Sequence, residues 1–427
     1  MTPIPFPGAN PYECGDQLWE VGMDRTLNVE VRDATWPPLG TLPTFPGTFH
    51  RGEASWDINI PSMLLMVGYL TTPVASAGVS LSEFWAWVRY LAAISNQTDM
   101  RITDSFSDLD AHQKTILSDD FGMGVPALWL SEKLSLDRIL DGRYFMQRFG
   151  VASGATQPTS KKRGPNKTPD FVARDVTGVW HILECKGTQS SAAYAERQIG
   201  EYGPPASGGI AQKRSIVFPP THTGQRLVSA LQIGIERGES SRLIITDPEP
   251  EDPQVIKKEE MDAADDSATR AVAAKALRLA GFEATASVIA SPTGRRPEIS
   301  HFESKHYEKL REEEVKERDS KARSELNSIE QRVSMFDGHY VGREMNIQLP
   351  RPIFVGDTRI KSVTVQQGVK KSNLEEISEK PTITENITVT DLEWNKSIGL
   401  NKSHGEGLNA NLSIGDFFKS EIHLRSD

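Results

Sequence analysis

The stretch VWHILECKG (179–187) constrains the fold more than any other part of the chain. It reads as a buried strand, yet it carries Glu184 and Lys186 two residues apart. Side chains alternate faces along a strand, so Trp180, Ile182, Glu184 and Lys186 share one face and His181, Leu183 and Cys185 the other. Burying either charge alone is costly, so the pair calls for partners at the strand's end. TPDFVARD, just upstream, supplies one. Asp170 opens a second apolar run, and Asp175–Gly178 reads as a tight turn joining the two. A hairpin closed there folds Asp170 back beside Glu184. Two carboxylates and an ammonium then converge at one end of a sheet.

Two hard oxygen ligands at short range suit a Mg²⁺ ion, with Mn²⁺ able to substitute, and water and a substrate phosphate filling the other positions. The backbone carbonyl of Cys185 adds a further hard oxygen. A metal so held polarises a phosphate, and a lysine beside it stabilises the charge that builds on phosphorus. Alternation points the Cys185 thiol away from the carboxylates, so it reads as a core residue rather than a nucleophile. The bland alternative is a salt-bridged strand edge after a common Pro-Asp turn. The hairpin spacing and the order of helices and strands around it favour the chemical reading.

TPDF…HILECKG resembles the signature of the PD-(D/E)xK nuclease superfamily, which has a restriction-endonuclease-like fold. The resemblance covers the hairpin and roughly residues 110–250. It implies that Asp170 and Glu184 bind the metal with Cys185, that Lys186 assists catalysis, and that Pro169 is the motif's proline. It further implies an acid on the helix before the first core strand. Asp119, Asp120 and Glu132 are the candidates, with Asp120 favoured for its place just before FGMG. A polar residue is implied on the helix after the strand, Gln198 ahead of Gln212 and Lys213. Many proteins resembling this pattern belong to prokaryotic restriction or anti-phage systems. The reading from another class is a non-catalytic subunit that uses the same fold to bind nucleic acid or a partner protein.

Charge bears on the partner. The chain carries a formal net charge of −10 over 427 residues, which argues mildly against a surface wholly given to nucleic acid. The loop KKRGPNK (161–167) reverses that locally, and Lys161, Lys162, Arg163 and Lys167 are the expected phosphate contacts. DNA, ahead of RNA, is the expected partner, with a homo-oligomer or partner subunit compatible with the sequence. Two cysteines, Cys14 and Cys185, without a CxxC argue against a disulfide framework or structural zinc and for a reducing compartment. MTPIPFPGANPYECGD lacks the features of a secretory signal, and INIPSMLLMVGYL is too short to span a bilayer. The expectation is a soluble, cytoplasmic chain with no membrane partner. A GxxxxGK[ST] phosphate loop is absent from the sequence.

The expected fold class is α/β: a restriction-endonuclease-like central mixed sheet flanked by helices, with additional helical and β-rich C-terminal regions. Four regions follow from composition: 1–105 irregular and helical, 106–250 the nuclease core, 251–334 charged and helical, 335–427 β-rich. SLSEFWAWVRYLAAI reads as a helix opened by Ser80 and Glu83, its aromatics in the core. AHQKTILSDDFGMGVPALWLSEKLSLDRIL reads as one or two helical segments bent at Gly122, Gly124 and Pro126, and GRYFMQRFGVA as a strand. SSAAYAERQIGEY reads as a helix, and RSIVF, RLVSALQIGIE and SRLIITD as apolar runs of an α/β sheet. EPEDPQVIKKEEMDAADDSATRA reads as a charged connector before the helix RAVAAKALRLAGF, and 301–332 as a long helix with a solvated face.

Overall fold

The computed structural model describes residues 23–75, 82–153, 168–200, 208–213, 216–247, 254–291, 305–355, 358–379 and 392–426. Two long strands come first, β1 (Asp24–Val31) and β2 (Gly52–Asn59), paired antiparallel. Leu27, Val29 and Val31 alternate into the core, so this segment belongs to the main sheet rather than wrapping it irregularly. α1 (Ile60–Thr71) starts directly after β2, and the Asn59 side chain caps it by accepting from Ser62 N at 3.1 Å. Ile60 through Leu70 are all buried, because this helix is covered on several sides. α2 (Ser82–Val88) and α3 (Asp104–Ser107) are short. Trp87 and Tyr90 are buried as core residues, as their aromatic spacing predicts.

α4 (Ala111–Leu134) is one unbroken helix with Pro126 inside it, capped by the Asp110 carboxylate on His112 N and Gln113 N. Its glycines permit close packing: a Cβ on Gly122 would meet the Gly187 backbone, and one on Gly124 would meet Val67 of α1. The strand expected at GRYFMQRFGVA lies one segment earlier, as β3 (Leu136–Asp141), and GRYFMQRFG opens α5 (Gly142–Ser153). Tyr144, Phe145, Arg148 and Phe149 are buried at helical spacing. β3 is buried along nearly its whole length, so it lacks the alternation that marks a half-exposed strand.

β4 (Phe171–Asp175) and β5 (Trp180–Thr188) form the hairpin, followed by α6 (Ala192–Ile199), α7 (Gly208–Lys213), β6 (Ile216–Val217), β7 (Thr223–Gln232), β8 (Arg242–Thr246) and β9 (Gln254–Val255). The main sheet runs β2-β1-β8-β7-β5-β4-β3. It is mixed: β5 and β7 are parallel, as are β1 and β8, and the other neighbours are antiparallel. α4 packs on one face of β5. On the other, α6 and α7 bury Ala195, Ile199 and Ile210 against Val228, Ala230 and Ile244.

α8 (Met261–Leu279) occupies much of the expected connector, and its charges are core residues rather than linker. Asp266 and Arg270 are fully buried and paired at 3.0 Å. α8 packs on α5 and β3, and α9 (Glu283–Ile289) and α10 (Lys305–Leu326) follow. Then come β10 (Val333–Met335), β11 (Tyr340–Val355), β12 (Thr358–Lys370), α11 (Lys371–Glu379), α12 (Glu393–Ser397), β13 (Asn401–Glu406), β14 (Asn409–Ile414) and β15 (Phe418–Ser426). The strands form a second, antiparallel sheet in the order β10-β11-β12-β15-β14-β13. α1 rests on β13, β14 and β15, and α8 on β12, so one continuous apolar core links the two sheets. Among the described residues no helix is long and apolar enough to cross a membrane.

Candidate active site

The turn between β4 and β5 sets the register that builds the site. The Asp175 carboxylate accepts from Thr177 N, Thr177 Oγ1 and Val179 N, and Gly178 takes the left-handed conformation (φ +85°) that closes the turn. Phe171 then pairs with Leu183 and Val172 with Ile182. One step beyond the ladder, Asp170 stands opposite Glu184, and the two are cross-linked through backbone. Asp170 N donates to Glu184 Oε2 at 3.1 Å, and Cys185 N donates to Asp170 Oδ2 at 2.8 Å. Each carboxylate thus spends one oxygen on fixing the other's strand and keeps one for the site.

Lys186 joins both. Its ammonium is hydrogen-bonded to Glu184 Oε1 and lies 3.7 Å from Asp170 Oδ2. Glu184 is fully buried, roofed by α7 so closely that a side chain on Gly209 would come 3.2 Å from its Cγ. Gly187, of opposite parity, faces α4 instead, which gives the two faces the alternation predicts. Burial, and after it the Asp170 carboxylate, push Glu184 up to about 8 against the pull of Lys186. Burial lowers Lys186, but Glu184 and Asp170 more than reverse this and raise it. One ammonium is not enough positive charge for the carboxylates it serves.

The acid of α4 that is coupled electrostatically to this group is Asp119. Desolvation raises it, while Lys186 draws it down and Asp170 pushes it up, so it shares the field of the cluster. Asp120, the acid favoured by sequence, turns away and is hydrogen-bonded to the Tyr90 hydroxyl. The helical phase explains the difference. Ser118 and Gly122 are the α4 positions pressed on β5; at about 100° per residue, Asp119 lies roughly 80° from their midline and Asp120 roughly 180°. The two glycines of FGMG carried this signal, since each marks a contact face and Asp120 falls on that of Gly124. Glu132 is at the surface, paired with Lys133 at 2.8 Å.

Gln198 lies on α6 with Oε1 buried and without a hydrogen-bond partner, and no hydrogen bond ties it to Asp170, Glu184 or Lys186. The side chains of Gln212 and Lys213, and the loop holding Lys161, Lys162, Arg163 and Lys167, lie outside the described residues. Cys185 is a buried free thiol pushed up by burial, which suits a packing role. Its N–H points to the β4 side, and by strand geometry its C=O points the same way, toward Asp170. Among the described residues no three His, Cys, Asp or Glu side chains gather closely enough to hold a metal by themselves. The two carboxylates that do converge are hard oxygen donors, of the kind that a Mg²⁺ ion keeping several waters accepts.

Comparison with protein-family models, with curated proteins and with solved structures finds no match to this chain.

Proposed function

We propose that this chain is a Mg²⁺-dependent nuclease that hydrolyses DNA phosphodiester bonds on a restriction-endonuclease-like core. The observation that carries the reading is the register that sets Asp170 opposite Glu184, with Lys186 bonded to one and 3.7 Å from the other. The order of elements adds support. A helix (α4) precedes the first strand of the meander β3, β4, β5, and a helix (α6) follows the strand that carries Glu184 and Lys186, as the sequence resemblance expects.

In this reading Asp170, Glu184 and the Cys185 carbonyl would hold Mg²⁺, which would supply Lewis acidity to the scissile phosphate. Lys186, bonded to Glu184 Oε1, would orient the attacking water and balance the charge that grows on phosphorus. Asp119 of α4 lies in the field of the same ammonium and would add an acceptor for a water. The backbone cross-links between Asp170 and Glu184–Cys185 hold these groups in place before substrate arrives.

The test is cleavage of plasmid and linear DNA with Mg²⁺, Mn²⁺ or EDTA by the wild type, Asp170→Ala and Lys186→Ala. Metal-dependent cutting lost in both variants is the expected result. A wild type that binds DNA without cutting it under any of these conditions would replace this reading with that of a binding subunit.

A further inference from the structure

A cleft of about 750 Å³ opens beside the C-terminal end of β3. Two links tie it to the proposed hydrolytic centre. Asp141 lines it, and the next residue, Gly142, donates its N–H to Asp170 O at 2.9 Å. Asp120 lines it from α4, adjacent in sequence to Asp119.

The chemistry of its walls is mixed in a particular way. Ile116 and Met123 give it an apolar bed, backed by the buried Leu70, Val74, Tyr90 and Tyr144. Both tyrosine hydroxyls are already engaged, with Asp120 and with Ala290 O at 3.0 Å. Asp141 is anchored by the fully buried Lys275, whose Nζ lies 3.2 Å from Oδ2 and donates to Leu70 O at 2.9 Å. The interior therefore offers apolar surface with fixed carboxylate acceptors. The cations line it at Arg89, which is bonded to Gln113 Oε1 at 2.6 Å, and at the exposed Arg143.

Asp120 and Asp141 disfavour an anion in the interior, and a purely apolar ligand would leave the second oxygen of each, Oδ1, without a donor, since Tyr90 and Lys275 take up Oδ2 alone. A nucleobase satisfies the set, with flat faces for the apolar walls and exocyclic N–H groups for the remaining carboxylate oxygens. The phosphate attached to it falls to the arginines. Bases stacked inside a duplex cannot enter such a cleft. We propose that this cleft receives one unpaired nucleotide of the DNA strand next to the scissile phosphate. The adjacency rests on the nuclease reading above. The substrate class that follows is single-stranded DNA, or duplex DNA with an unpaired or flipped base.

The test is fluorescence anisotropy of the full chain in EDTA, where hydrolysis is off. The DNAs are a labelled single strand, the perfect duplex of the same length, and that duplex with one unpaired base. Single strand and bulged duplex are expected to bind about tenfold more tightly than the perfect duplex. Ile116→Trp, at a cleft-lining position 39% exposed and so free to take a larger side chain, is expected to erase that preference with the thermal midpoint unchanged. Arg143→Ala is expected to weaken the single strand severalfold. Equal affinity for the three DNAs, or a preference that survives Ile116→Trp, overturns the proposal. Cleavage by the same proteins in Mg²⁺ separates the two readings. Metal-dependent cutting without any preference removes the cleft and leaves the nuclease; a cleft-dependent preference without cutting removes the nuclease and leaves the nucleotide site.

Discussion

Gly187 and Gly122 face each other where α4 meets β5, and a methyl group at either asks whether the site depends on that closeness. A Cβ on Gly187 falls against Ser118 O, 2.7 Å from Ser118 C and 2.9 Å from Gly122 Cα. One on Gly122 sits 2.5 Å from Gly187 N and 2.8 Å from Lys186 C. These are backbone atoms, which cannot swing aside as a side chain would. Non-bonded carbons rest at about 3.5–4.0 Å, so helix and strand must part by about 1 Å. Overpacking of a core costs about 1–3 kcal/mol, and a clash confined to backbone belongs at the upper end. The same movement carries Asp119 away from Lys186, and a misplacement of about 1 Å costs about 10²-fold in rate. Gly187→Ala is therefore expected to lower the urea-unfolding free energy by about 3 kcal/mol and to slow Mg²⁺-dependent cleavage about 100-fold. Gly122→Ala on top of it adds less than it does alone, because the contact is already open. Gly407→Ala, in the turn between β13 and β14, is the control. It sits at φ +53° with open space around its Cβ position, so it costs about 1–2 kcal/mol of left-handed strain and leaves the rate unchanged. Wild-type stability in Gly187→Ala would refute the packing argument; a wild-type rate with the stability lost would refute the role given to α4.

Three further outcomes follow from named contacts. Burial raises Asp175, but hydrogen bonds from His181, Thr177 and Val179 outweigh it and bring the carboxyl from 3.8 to about 2. The folded state then binds fewer protons than the unfolded, so, with solvent screening of this half-buried carboxylate allowed for, about 1 kcal/mol of stability is present above pH 4 and lost as pH falls toward 2; unfolding curves of Asp175→Asn should lack that part of the slope and lie lower at pH 7. Lys186→Met removes the cation that holds Glu184 Oε1, so calorimetric Mg²⁺ affinity should rise about tenfold while turnover falls; an unchanged affinity would show that lysine and metal do not compete there. A chain ended at Ser334 loses the sheet that covers α1 and α8, and with several large apolar side chains re-exposed at about 1.5–3 kcal/mol each it should fail to give a cooperative unfolding transition.

The hairpin was legible because its signals are local. A turn sequence, a β-branched and aromatic run, and two charges at period two fix pairing without reference to the rest of the chain. β3 was not, because a strand buried on both faces shows no alternation and its run LDRIL continues the apolar character of the helix before it. GRYFMQRFG reads as a strand by its aromatic content, yet its buried positions fall at helical spacing once α8 is present to pack against it. The charges of α8 misled in the opposite sense. Asp266 and Arg270 are four residues apart and neutralise each other inside the core, which composition alone scores as a solvated connector. At the site, Asp170, Glu184 and Lys186 could be placed together from strand period and hairpin length, whereas choosing between Asp119 and Asp120 needed the phase of α4 against β5.

Electrostatics connect the site to its surroundings. Among the described residues, Asp170, Glu184 and Asp119 share one field with a single ammonium, on a chain whose formal charge is already −10. A phosphodiester meeting that cluster alone is repelled, and the raised Glu184 expresses the same excess of negative charge from within. A divalent cation therefore does two things in the proposed reading: it satisfies the carboxylates and it turns the centre into one that a phosphate can approach. The cleft beside it divides its charge along the same lines, with the acids Asp120 and Asp141 suited to a neutral base and the arginines Arg89 and Arg143 suited to the backbone that carries it. Acidic chemistry at the centre and an acidic total charge are thus compatible with a polyanionic substrate, provided that positive charge is supplied where phosphate touches the protein and nowhere else.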